Sequence, residues 1–197
     1  MATDRKWTAG AATVVMLVTS SSVVRAEDVD RFVIHLENYV SLPIEQLTAI
    51  KGEVDTIFRA AGLSVHWTSA LLTRHEDAPG DGVCHLAVVI VNLRTPDGDV
   101  DTKSDDVLGR AAPAYRRAWV YANHIATVTE RRPGDANVLM ARVIAHELGH
   151  LLLRSHRHAA SGIMQRSVAD DAPRNYRFSG DERHRLRDGI TACAAVR

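Results

Sequence analysis

The segment from Val143 to Met164, VIAHELGHLLLRSHRHAASGIM, concentrates side chains that bind metals or move protons. It contains His146, Glu147 and His150, followed by His156 and His158. On an α-helix, residues four apart lie on one face, one turn apart. His146 and His150 can therefore ligate a single ion. Glu147 sits about 100° around the helix from His146, beside such an ion rather than on it. A carboxylate in that position can take a proton from water activated by the metal. The pattern is His-Glu-x-x-His, and zinc is the ion that best suits neutral imidazole ligands at this spacing. Only one of His156 and His158 can complete a three-histidine site. Three histidines would leave the fourth zinc position open for water, which distinguishes a catalytic from a structural site.

Such ligands need a rigid carrier. Val143, Ile144, Leu148, Leu151 and Leu152 give the helix an apolar face to bury. The helix is expected to start at Asp135 or Asn137 and run through Leu153. The segment Arg31 to Asn38 alternates apolar and polar and reads as a strand. Pro43 opens a helix in which Ile44, Leu47, Ile50, Val54, Ile57 and Phe58 recur at helical spacing, with Gly62 at its end. Leu63 to Trp67 is a short strand. His85 to Leu93 is a continuous apolar run rich in β-branched residues, as expected for a central strand buried on both faces. Ala118 to Val128 reads as a further strand, the edge strand along which an extended substrate would lie. Ser179 caps a last helix. The order of elements predicts an α+β single domain: one mixed, twisted sheet with a backing helix, an active-site helix and a C-terminal helix.

The chain has 197 residues and balances 24 Lys and Arg against 24 Asp and Glu. With the basic residues dispersed, nothing favours a nucleic-acid partner. Arg5 and Lys6, the apolar run from Ala11 to Val18, and Val24-Arg25-Ala26 before Glu27 form the layout of a secretory signal peptide. Residues 1–26 are read as that signal and residues 27–197 as the mature domain. The expected location is secreted or periplasmic. No stable membrane span is expected after cleavage, because no stretch reaches about 18 apolar residues. Cys84 and Cys193 are expected to pair in that oxidising setting, tying the C-terminus to the middle of the sheet.

HELGH followed by a histidine and SGIM resembles the metzincin clan of zinc peptidases. His156 stands at that clan's spacing for the third ligand, while Leu153 occupies its usual glycine position. The chain also resembles a narrower group of small exported bacterial metallopeptidase-like proteins carrying HELGHLLL…H…GIM. That likeness extends to IFRAAGLSVHW (Ile57 to Trp67) and LGRA (Leu108 to Ala111). There the third histidine falls at His158, and Arg154 replaces the turn glycine. The resemblance implies a zincin-like fold, Zn²⁺ held by His146, His150 and a third histidine, and Met164 in a turn beneath the metal. It implies a secreted zinc endopeptidase, with Glu147 as general base and a protein or peptide as substrate. The chain is expected to act as a monomer. His158 is the preferred third ligand and His156 the alternative. If, without a glycine to stop it, the helix runs about a turn further than the clan's pattern allows, the chain needs extra residues to return to the ion, and His158 has that slack. A helix broken at Leu153 would instead bring His156 to the metal.

Other signals are weaker. Tyr115, Tyr121, His124 and Tyr176 are candidate oxyanion donors. Asp97, Asp99 and Asp101 alternate as in a calcium loop, but Thr102 and Leu108 replace its glycine and terminal glutamate, which favours a solvated acidic loop. His35, His66, His75, His85 and His184 are scattered and read as ordinary strand, loop or helix residues. Neither a zinc-binding protein without catalysis nor a zinc hydrolase of non-peptide substrates is excluded by the motif.

Overall fold

The computed structural model describes residues 31–72, 82–93, 107–131, 134–166 and 176–195. The expected signal segment and the Asp97–Asp101 loop, with His75, lie outside the described residues. Strand β1 (Arg31–Asn38) leads into α1 (Ile44–Ala60), β2 (Ser64–Thr68) and β3 (Cys84–Val91). Strand β4 (Gly109–Ala112) then runs through a 3-10 turn, Pro113–Tyr115, into β5 (Arg117–Tyr121). Helices α2 (Ala122–Arg131), α3 (Ala136–Leu153) and α4 (Gly180–Ala194) complete the chain.

The sheet order is β2-β1-β3-β5-β4. Strands β2, β1, β3 and β5 are parallel, and β4 pairs antiparallel with β5. This is the mixed-sheet α+β domain expected. Strand β3 is central and buried along nearly its whole length, as its unbroken apolar run demands. Phe32, Ile34 and Leu36 of β1 and Leu86, Val88 and Ile90 of β3 share one face. They form one core with Ile50, Val54 and Phe58 of α1, most of α3, and Leu186 and Ile190 of α4.

The caps explain the helix bounds. The Asp135 carboxylate accepts from the Asn137 and Val138 amides and starts α3. Ser179 and Glu182 form a reciprocal capping box on α4. Gly62 ends the turn after α1 with φ of 76°.

The expected strand Ala118–Val128 is half wrong. It ends at Tyr121, and α2 begins at Ala122. From there the buried positions follow helical spacing, with His124 and Ile125 inward. Asn123 fixes the junction by bonding both the amide and the carbonyl of Leu93. Strand β5 is also not the edge. Strand β4 covers it, so the edge on this side is Gly109–Ala112.

A disulfide joins Cys84 of β3 to Cys193 of α4, fastening the C-terminal helix to the central strand as expected. Among the described residues, no helix is long and apolar enough to cross a membrane.

Candidate metal centre

Helix α3 is buried from Leu139 to Leu152 apart from Arg142, so packing on several sides fixes its rotation. That burial includes His146, Glu147 and His150. The His146 Nδ1–H donates to the Ile163 carbonyl at 2.7 Å, and the His150 Nδ1–H to the Ser155 carbonyl at 2.6 Å. A carbonyl can only accept, so each ring carries its proton on Nδ1 and leaves Nε2 as a bare lone pair. The two Nε2 atoms stand 3.0 Å apart. Two facing lone pairs with no hydrogen between them repel, unless a cation or proton lies in their common field. Carbonyl partners on the far nitrogen are the usual way to orient metal-binding histidines.

His158 joins this pair. One ring nitrogen from each of His146, His150 and His158 lies within 4.8 Å of the others. The His158 ring centroid is 5.3 Å from that of His146 and 5.1 Å from that of His150. His156 stands 6.1 Å from His150 and is not part of the triad. The path to this arrangement differs from the one expected. Helix α3 does not overrun. It stops at Leu153, and Arg154 takes the left-handed conformation a glycine would supply, with φ of 48°. The break that was expected to favour His156 instead leaves four residues outside regular structure, 155–158, that carry His158 to the cluster.

The chain then returns beneath the histidines. The Ala159 amide bonds the Met164 carbonyl at 2.7 Å, and Gly162 turns with φ of 83°. Met164 is almost wholly buried. A methyl group placed on Gly149 would collide with its sulfur, so the glycine between the two helical histidines lets the turn approach.

Burial pushes His146 down to about 4, helped by the charges of His150 and His158. His150 and His158 are also lowered, chiefly by burial. All three therefore favour the neutral form that a metal requires. Glu147 goes the other way. Burial raises it to about 7, opposed by the Ala111 amide that donates to its carboxylate. That amide belongs to β4. The Leu108 carbonyl accepts from Tyr121 of β5, so alternation turns Gly109 and Ala111 to the open edge. A Cβ on Gly109 would stand 2.9 Å from both Glu147 Cγ and Val143 Cγ1. Gly109 is thus what lets the edge strand lie against the metal helix.

No known family model matches the chain, and no curated protein matches it at a significant level. Among solved structures, it is similar to a zinc-dependent peptidase from Methanocorpusculum labreanum (strain Z). The TM-score is 0.51, with 18% identity, over 78% of this chain and 99% of that one. At that identity the likeness establishes the shared fold.

The oxyanion candidates separate by position. Tyr115 is exposed at the 3-10 turn, and Tyr176 lies beneath the Arg142 guanidinium at 3.5 Å. His124 is tied to the Val107 carbonyl at 2.9 Å. Tyr121 feels the Glu147 charge, a minor influence beside the burial that raises its hydroxyl pKa. Of the scattered histidines, His66 and His184 are exposed on β2 and α4. His35 and His85 meet across β1 and β3, with ring nitrogens 2.8 Å apart. Sequence spacing could not reveal that pair, because sheet register creates it. The Ile163 and Ser155 carbonyls were equally invisible, since any residue supplies one.

Proposed function

We propose that the chain is an exported zinc-dependent endopeptidase. The observation that carries this reading is the pair of facing Nε2 lone pairs on His146 and His150, with His158 beside them and Glu147 alongside. His146, His150 and His158 would hold the ion. Bound there, zinc supplies a Lewis acid that acidifies water and polarises a carbonyl. His156, outside the triad, is left to the loop surface.

Glu147 is the general base. Its carboxylate is buried, raised to about 7, and held by one backbone donor, the Ala111 amide. A proton acceptor near the working pH is the efficient kind. It would take a proton from the attacking water and return it to the leaving amine. The open edge of β4 runs along the same side of α3, so an extended peptide laid antiparallel to Gly109–Ala112 would bring a carbonyl to Glu147. Hydrolysis of a peptide rather than another substrate is favoured by that edge. The zinc-dependent peptidase of similar fold agrees with it. The disulfide between Cys84 and Cys193 supports an oxidising location, and with it export by residues 1–26.

The test is direct. The mature chain, purified without chelator, should carry about one zinc per molecule, as one three-histidine site requires. It should cleave unstructured peptides at internal bonds, and a chelator should stop it. Tightly bound zinc without cleavage would point to a binding protein of the same fold. Absence of zinc would end the reading altogether.

A further inference from the structure

A second site lies where α3 ends. A cavity of about 60 Å³ opens between that end, the 3-10 turn and α4, with Leu86 of β3, Leu151 and Leu152 among its walls. Among the described residues, two cations line it, Arg116 and Arg154, and no acid does. Arg116 is only 6% exposed. Its Nη2 is buried and has no hydrogen-bond partner. We propose that this cavity is a binding site for a small inorganic oxyanion, of the sulfate or phosphate class, held between the Arg116 and Arg154 guanidiniums.

A buried guanidinium carries five donors and needs acceptors or a counter-charge. The side chains of the other described lining residues offer neither. The C-terminus of α3 presents partial negative charge nearby, which suits cations. Yet no helix carbonyl bonds Arg116 Nη2, so the helix end leaves that donor unmet. Burial, and then the like charge of Arg154, push the Arg116 pKa down. Both arginines hold left-handed backbone, with φ of 50° and 48°, where glycine is the easier residue. Space for roughly four to six water-sized positions, taking 10–15 Å³ for each, suits a five-atom oxyanion. None of the four histidines of the metal segment lines the cavity, and neither does Glu147. The site is therefore separate from the metal centre, and it does not depend on the peptidase reading.

An anion here would clamp the last turn of the metal helix to α4 and to the turn between β4 and β5. The test uses the purified chain, with whatever metal it carries, and sulfate as the probe, with chloride replacing it at constant ionic strength. The thermal midpoint should rise saturably with sulfate, as binding to the folded state requires. Isothermal titration should give one sulfate per chain. Arg154→Gly keeps the left-handed turn and removes the guanidinium, so it should fold. Arg116→Gln removes the buried charge. Each should weaken sulfate binding roughly ten- to a hundred-fold, the value of a charge-assisted contact. No saturable shift in the parent would overturn the proposal. So would an equal shift in parent and Arg154→Gly, which would be the general stabilisation that excluded salts produce.

Discussion

In the proposed function Glu147 is the residue on which the chemistry turns, and two of its properties can be measured separately. Glu147→Gln removes the base and leaves the histidines. It should keep its zinc, as metal analysis would register, and lose hydrolysis by about 10²- to 10⁴-fold. The same substitution reports on burial. In the metal-free fold the carboxyl is raised to about 7, against 4.5 in the unfolded chain. Its contribution is full below pH 4.5, declines as pH climbs, and is lost once pH passes about 7. The histidines, lowered by burial, act in the opposite direction, so only the difference between variant and parent isolates Glu147. Metal-free Glu147→Gln should match the parent at pH 4 and exceed it at pH 8 by up to about 3 kcal/mol, at 1.36 kcal/mol per pKa unit. Urea unfolding at the two pH values tests this, and equal midpoints at pH 8 would mean that Glu147 is not desolvated. A third experiment concerns the histidines that follow. His158→Ala should cost zinc affinity sharply, while His156→Ala should change it little. A competitive zinc titration with the reverse order would exchange their roles.

At the scale of elements, the helices were legible because they carry their own punctuation. Asp135 and the Ser179–Glu182 pair are caps written in the sequence, and the apolar spacing of α1 has one period throughout. The junction of β5 and α2 was not legible. No glycine or proline separates Tyr121 from Ala122, and Ile125, Thr127, Val128 and Thr129 are residues that strands also favour. The end of α3 misled for a related reason. Arg154 does in the left-handed region what glycine usually does, at a cost of about 1–2 kcal/mol that packing must offset. The histidine helix was therefore readable from spacing. The route to the third histidine was not, because it depends on one backbone angle at an arginine. The edge strand was misplaced with β5, and its true position explains Gly109. Gly109→Ala should push β4 away from α3 and break the Ala111 contact to Glu147. Zinc content should hold while kcat falls at least about ten-fold, alongside an overpacking cost of roughly 1–3 kcal/mol. Loss of zinc together with activity would show instead that β4 supports the whole helix.

At the scale of the molecule, one polar machine sits at the end of a largely parallel sheet, and its carrier helix is held from both sides. Helix α1 packs against α3 within the core, and α4 closes over its C-terminal end. That closure is tight. A methyl group on Gly189 would collide with the Leu152 carbonyl, so α4 approaches α3 backbone to backbone. The only covalent hold on α4 among the described residues is the bond from Cys193 to Cys84, across a sequence separation of 109. Closing a loop of that length removes conformational freedom from the unfolded chain worth up to about 4.7 kcal/mol, and native bridges of this kind commonly contribute 2–5 kcal/mol. Cys84 is buried in the core and Cys193 is partly buried against it, and replacement by alanine leaves no unpaired polar group. The double variant Cys84→Ala/Cys193→Ala should therefore unfold at lower urea, by about 2–5 kcal/mol, with its metal histidines still in register at 25 °C. Heating should separate it from the parent further. As α4 loosens first, the last turn of α3 loses its cover, and zinc should leave before the sheet melts. Following zinc release with a chromophoric chelator beside far-ultraviolet circular dichroism would reveal two transitions in the variant and one in the parent. A single coincident transition in both would mean that packing through Gly189, rather than the disulfide, keeps the metal helix closed.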